Sequence, residues 1–419
     1  VDQLIKYMTD FLDLVPPQEA LRSLISNLPD PIFSDSLIPS VDSIGRVVSS
    51  DIISPYCLPN FQRSSVDGYA LLSKDTFGAS DNMPTYLEIA GEVHMGKDNN
   101  LAILSGQTVL IHTGGMVPAN ADAVIMIEDT QLVGNFELEI RKAIAPGENL
   151  IAKGEEIGSS VTVITAGTSI RSVEIGGLMA IGIMEIPVRT KPRIGIISSG
   201  DEIILPGSTL SIGKINDVNS YLLASLISKW GGEPVIFGIV QDNLQELISV
   251  ARNAHENCDM VVFTAGSSVS QRDVTSQAIS SLGKPGVLVH GVNLRPGKPT
   301  ILANCSGKPV IGLPGNPVSA YVTANLFVAP LIKYLLGVKE EYKLPTVRAI
   351  LSLNIPSQAG REDWVPVKFN TSNNEKMATP VFAKSNFIFS LVGADGLIRI
   401  EPDQTGLEAG NVVEIFMFE

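Results

Sequence analysis

Between residues 191 and 337 the apolar positions follow two periods in alternation. Continuous apolar runs at 193–198, 235–240, 260–264, 287–292, 300–303 and 310–313 predict buried strands. Between them, apolar residues recur every three or four positions, which predicts helices over 219–230, 244–254, 274–282 and 316–336. In the first helix Leu222, Leu223, Leu226, Ile227 and Trp230 form one stripe, with Asn219 or Ser220 as the N-cap. Near-continuous apolar strands alternating with helices predict a mainly parallel, doubly wound sheet.

The flanks read differently. Residues 1–30 carry helical spacing, in Leu4, Met8, Phe11, Leu12 and again in Ala20, Leu21, Leu24, Ile25, Leu28, interrupted by Pro16-Pro17. From about 40 to 150, short apolar runs such as 108–112 and 123–127 are punctuated by Gly, Pro, Asn and Asp, so a mostly β domain is expected. A short αβ stretch returns over 151–180, as though the β domain were inserted between two pieces of one scaffold. After a linker at 337–345, alternating short strands predict a small barrel or sandwich.

Composition narrows the function. Hydrophobic residues make up 44% of 419, charged residues 18%, and 30 Lys and Arg against 44 Asp and Glu leave a formal charge of −14. That balance argues against a nucleic-acid or anionic-membrane partner. Cys57, Cys258 and Cys305 form no CxxC, and His94, His112, His255 and His290 form no HExxH, so they read as ordinary residues of a cytoplasmic protein. No run of 18 apolar residues and no basic-then-apolar leader is seen, and no membrane span or secretion signal is expected.

Ligands of open parallel sheets bind beyond the carboxyl ends of the strands. This chain places Ser199-Gly200-Asp201-Glu202, Asp242, Gly266-Ser267-Ser268, Asp273, Arg295-Pro296-Gly297-Lys298-Pro299 and Pro314-Gly315-Asn316-Pro317 there. Gly and Ser loops before helices offer N–H and hydroxyl donors to phosphate. The carboxylates offer hard oxygens to Mg²⁺. Arg295 and Lys298 offer charge to an oxyanion. Each piece alone has a plain reading: Asp242 serves equally well as a helix cap, Asp201-Glu202 as an exposed turn, Gly315 as a backbone hinge. Together they suggest a pyrophosphate-bearing ligand handled with a divalent metal. No GxGxxG follows a strand, and Pro299 stands where a Walker A loop needs Ser or Thr, so nicotinamide and ordinary NTPase chemistry are set aside.

Further segments fall in a telling order. They are Leu58-Pro59, Ser65-Val66-Asp67-Gly68-Tyr69-Ala70, Thr113-Gly114, Ala121-Asp122-Ala123-Val124, Gly154-Glu155-Glu156-Ile157, Ser199-Gly200-Asp201-Glu202, Pro296-Gly297-Lys298-Pro299 and Gly312-Leu313-Pro314-Gly315-Asn316-Pro317. Over nearly its whole length the chain resembles the MoeA/gephyrin E-domain family, the molybdopterin molybdenumtransferases. The resemblance implies an elongated scaffold over 1–45 with 150–180, an inserted β domain over 46–149, an α/β molybdopterin-binding domain over 181–338 and a C-terminal β-barrel over 339–419. It implies a homodimer with the active site between the α/β domain of one subunit and the β domain of the other. The reaction implied takes adenylylated molybdopterin and molybdate to molybdenum cofactor and AMP with Mg²⁺. Other cofactor-biosynthesis proteins and recipient apo-molybdoenzymes are implied as partners.

Carried over by motif, Asp67 and Thr113 act across the dimer, Glu202, Asp242 and Asp273 serve as metal ligands and catalytic acids, and Lys298 as the catalytic lysine. Ser199, Gly200, Gly266, Ser268, Arg295, Gly297, Pro314, Gly315, Asn316, Pro317, Arg361 and Ser385 bind substrate. The chain departs from the family pattern at Arg295, often Lys, where a point donor becomes a planar fork. It departs also at Glu156, at Gln271, at Pro366 in place of a second Arg, and at Lys384 and Asn386, which flank Ser385 where glycines are common. These changes suggest altered metal or oxyanion preference, tungstate included, or weakened turnover. A molybdopterin carrier or scaffold is the rival reading. A single-domain adenylyltransferase is disfavoured by the extra β domains.

Overall fold

A computed structural model describes residues 14–97, 101–265, 269–339, 342–372 and 375–418. Its centre is a six-stranded sheet in the order Glu233–Val240, Arg193–Ser199, Met260–Ala265, Lys308–Pro314, Ile301–Cys305, Pro285–His290. Five strands run the same way, and Ile301–Cys305 alone runs against its two neighbours. The reversal has a local cause. Only Ser306 and Gly307 join 301–305 to 308–314, and both take positive φ, 53° and 86°. Two residues allow a hairpin but no crossover.

Side chains alternate across this sheet as strand geometry requires. Ile194, Ile196, Val262 and Ile311 meet Leu223, Ile227, Phe327 and Leu331 on one face. Ile197, Val261, Phe263 and Val310 meet Leu247, Ala251, Ala254 and Ile279 on the other. Helix Asn219–Trp230 therefore covers the first face, and Leu244–Asn257 with Val269–Ser280 the second. The first strand in sequence lies between the second and third, so the strand order reverses at 193–199 and 260–265. That is the switch point at which such sheets open a crevice.

The last helix is not one regular α-helix. It runs as Pro317–Thr323, a π turn over Ala324–Val328, then Ala329–Leu335. Pro330 lacks an N–H to give the preceding turn, and the π register falls beside it. The 19 residues are apolar enough to cross a membrane by length and composition, but 67% of that window is buried beneath the sheet.

The N-terminal helix Pro17–Asn27 buries Ala20 and Leu24 in the same core as Ile194 and Leu302. It thus packs on the α/β domain, a pairing its own spacing cannot reveal. The scaffold's small core holds Val48, Ile52, Ile164, Ile170, Leu178, Ile186 and Val188. Strand Glu185–Arg189 pairs with Asp35–Pro39, so its sheet reaches beyond the expected edge at 180. The expected inserted β domain contains a mixed six-stranded sheet, Ala123–Met126, Gly68–Leu71, Gln107–Ile111, Thr85–Glu92, Glu137–Ile140, Thr130–Val133. Leu58 and Ile157 exchange backbone hydrogen bonds at its entrance and exit.

The C-terminal region closes into a five-stranded barrel. Glu362–Ser372, Glu375–Pro380, Thr346–Leu351, Val412–Met417 and Gly396–Ile400 follow in order, and the last pairs back on the first. A sixth short strand comes from the α/β domain: Leu294–Arg295 lies parallel to Glu362–Asp363.

Candidate functional site

That borrowed strand builds a cleft of about 1010 Å³ between the α/β domain and the barrel. Its lining includes Arg295, Gly297, Lys298, Pro314, Gly315, Asn316, Arg361, Asp363, Lys384 and Ser385. After Arg295 the chain passes against the last helix. A Cβ on Gly297 would stand 2.5 Å from Thr323 Cγ2, and its φ of +129° disfavours any other residue. Thr300 Oγ1 donates to the Gly297 carbonyl at 2.7 Å and fixes the loop. Opposite, Asn316 Nδ2 donates to Ser385 Oγ at 3.0 Å, and Val318 N–H to the Ser385 carbonyl at 3.0 Å. The barrel loop is thereby stitched to the helix start at Pro317.

Charge in the cleft is organised by one carboxylate. Asp363 is 5% exposed and accepts from Arg361 Nε at 2.8 Å and Nη2 at 3.3 Å. Arg295 Nη1 stands 3.7 Å from Oδ2, the oxygen that also accepts from Arg361 Nη2. Glu362 points to the opposite face, accepting from Trp364 Nε1 at 2.6 Å and Arg399 Nη2 at 2.7 Å.

At the switch point, Ser199 Oγ donates to Asp242 Oδ1 at 3.4 Å, and Asp242 N–H to Asp201 Oδ1 at 3.0 Å. Glu202 is half-buried beside Gly200. Asn219 is not the helix cap. Its Nδ2 donates to Thr264 Oγ1 and to the Gly315 carbonyl, each at 2.8 Å, so it ties the switch point to the cleft. Asp217 takes the capping work, accepting the Ser220 N–H at 3.0 Å. Ser198 Oγ, Asn219 Oδ1 and Ser220 Oγ are buried there without a partner, polar capacity that a water or ligand would satisfy. Among the described residues no three His, Cys, Asp or Glu side chains gather to hold a metal. The donors present are nonetheless hard oxygens, and Mg²⁺ is commonly held by one or two carboxylates plus substrate phosphates. The donor set fits that ion.

A third cluster lies in the β domain. Thr113 N–H donates to Asp67 Oδ1 at 2.8 Å, while Gly114 N–H donates to the Ser64 carbonyl and Ser64 N–H to the Gly115 carbonyl. His112 Nδ1 stands 3.5 Å from Asp67 and its Nε2 3.3 Å from Glu92. The Thr113 N–H, chiefly, with its hydroxyl and His112, holds the Asp67 carboxyl below the usual range. Burial raises the Cys258 thiol and pushes the Cys305 thiol up to about 11, so both are poor nucleophiles.

Three family models cover most of the chain: the MoeA N-terminal region (domains I and II) at 15–182, the Probable molybdopterin binding domain at 195–334 and the MoeA C-terminal region (domain IV) at 348–418. The chain belongs to the MoeA family. Two crystal structures of molybdopterin biosynthesis MoeA protein from Pyrococcus horikoshii match it over 97% of its length and 100% of theirs. Their identities are 35% and 30%, with TM-scores of 0.79 and 0.84. The molybdopterin molybdenumtransferase 2 of Mycobacterium tuberculosis is 28% identical over 387 residues, 90% of this chain and 94% of that protein.

Within this MoeA chain, Arg295, Gly297, Lys298, Pro314, Gly315, Asn316, Arg361 and Ser385 come together in the cleft, with Pro317 adjoining it. Ser199, Gly200, Glu202 and Asp242 sit at the switch point instead, and Asp67 with Thr113 in the β domain; none of these six lines the cleft. Gly266 and Ser268, and the side chain of Asp273, lie outside the described residues. Sequence reasoning missed Asn219, whose helical spacing looked complete without a bridging role. It missed the charge-setting part of Asp363 because only folding brings Arg295 to it.

Proposed function

We propose that this MoeA protein is a molybdopterin molybdenumtransferase that inserts molybdate into adenylylated molybdopterin and releases AMP. The observation that carries the reading is the cleft. Two lysines and two arginines line it, the arginines facing one buried carboxylate, and Asn219 ties the Gly315 turn to a Ser- and Asp-bearing switch point. A tetrahedral oxyanion meets charge in the first region, and the second offers a pyrophosphate the unpartnered hydroxyls of Ser198 and Ser220.

In this reading Glu202, Asp242 and Asp273 hold Mg²⁺, which when bound withdraws charge from the pyrophosphate as a Lewis acid. Ser199 orients Asp242. The stitched Asn316–Ser385 pair keeps the oxyanion region in register with the phosphate region. Arg361, locked by Asp363, presents a fixed planar donor. A second copy supplies Asp67 and Thr113. The buried thiols take no part, because the sulfur that receives the metal belongs to the substrate. A cytoplasmic setting fits the three unpaired cysteines.

The test is a single-turnover reaction of the full chain with adenylylated molybdopterin, Mg²⁺ and either molybdate or tungstate. AMP release coupled to metal insertion is expected, and faster for one oxyanion. Asp242→Ala is expected to abolish insertion while leaving the urea midpoint unchanged. Tight pterin binding without turnover would overturn the transferase reading.

A further inference from the structure

We infer that Lys384 is a second anchor for the oxyanion, paired with Lys298, an inference that rests on the reading of the cleft as an oxyanion site. The charges in the cleft are not equivalent. Arg295 and Arg361 both face Asp363, so part of their charge is already spent. Lys298 and Lys384 line the same cleft and are exposed, and among the described residues neither has a carboxylate partner. A tetrahedral dianion carries two negative charges, and these two ammonium groups are the matching uncompensated pair. Each also offers three rotatable N–H donors on a flexible stem, which can follow the oxygens of a bound oxyanion.

Lys384 is not a loose surface lysine. Val381 N–H donates to the Pro366 carbonyl at 2.8 Å on one side. On the other, Phe387 N–H donates to the Lys384 carbonyl at 3.0 Å, and Ser385 is held by Asn316 and Val318 at 3.0 Å each. The backbone that carries the side chain is thus fixed before any ligand arrives, so less ordering entropy is lost on binding. Pro366, which can bear no charge, lines the cleft beside this loop, and Lys384 is the cation that the barrel wall contributes there in addition to Arg361.

The experiment measures molybdate and tungstate binding to the full chain by equilibrium dialysis, beside binding of adenylylated molybdopterin. Lys384→Gln is expected to raise the oxyanion Kd about 10-fold, as loss of a charge-assisted hydrogen bond does. Lys384→Arg should stay within about 3-fold, since it keeps the charge. Pterin affinity should not move in either variant. An oxyanion Kd for Lys384→Gln within twofold of the unsubstituted chain, with Lys298→Gln impaired, would overturn this inference and leave the transferase reading standing. An unsubstituted chain that binds the adenylylated pterin but neither oxyanion would overturn the inference too. One that binds none of the three would overturn both.

Discussion

Asp363 sits almost fully buried between two guanidinium groups, and its single charge sets what the cleft offers a ligand. A carboxylate there fixes Arg361 through two hydrogen bonds and draws Arg295 toward the barrel. An amide of the same shape keeps one acceptor oxygen where the carboxylate has two, and would turn its own N–H₂ toward one of the cations. Asp363→Asn is therefore expected to lower stability by about 1–3 kcal/mol, the cost of leaving buried polar groups ill-matched. Urea unfolding checks it, and a midpoint equal to that of the unsubstituted chain would show that the pair contributes nothing. The residue types of this cluster were legible in the sequence as Arg295, Lys298 and Arg361. Their assembly was not, because Arg295 reaches Asp363 only through a strand pairing across 67 residues.

At the scale of elements, the strands and helices of 193–335 were readable because both sheet faces are covered, which makes apolar runs long and helical stripes clean. Bounds moved by a few residues, as in the helix that begins at Val269 rather than 274. The π turn at 324–328 was invisible, since an apolar run hides its own register. The Asp67-Gly68-Tyr69-Ala70 motif was legible as a tight segment, and its glycine now has a physical reason. Gly68 lies at the edge of a strand paired on both sides, and a Cβ there would sit 1.9 Å from the Ile125 carbonyl oxygen and 2.8 Å from its carbon. Backbone cannot yield as a flexible side chain does. Gly68→Ala is expected to part Gly68–Leu71 from Ala123–Met126 and to cost on the order of 3 kcal/mol or more. Loss of amide-exchange protection at Tyr69 and Ile125 would report it directly; unchanged protection would count against the close approach.

At the scale of the molecule, the predicted site is divided. Lys298 and Arg361 share one cleft, while Asp67 and Thr113 sit in the β domain and line no part of it. In the proposed reading a single copy presents two partial sites, and a two-fold dimer in which the β domain of one copy meets the α/β domain of the other would complete both. That arrangement makes a prediction no single-copy site shares. Asp67→Asn and Lys298→Gln should each lose nearly all turnover alone. Mixed, dissociated and reassociated in equal amounts, they should recover about a quarter of the unsubstituted rate, because random pairing makes half the dimers mixed and each mixed dimer holds one site with neither change. The unmixed variants at the same total concentration give the baseline. A mixture no more active than the two variants apart, with mixed dimers verified by mass, would place Asp67 and Lys298 in one subunit's site, and the β domain would then have to move to reach the cleft.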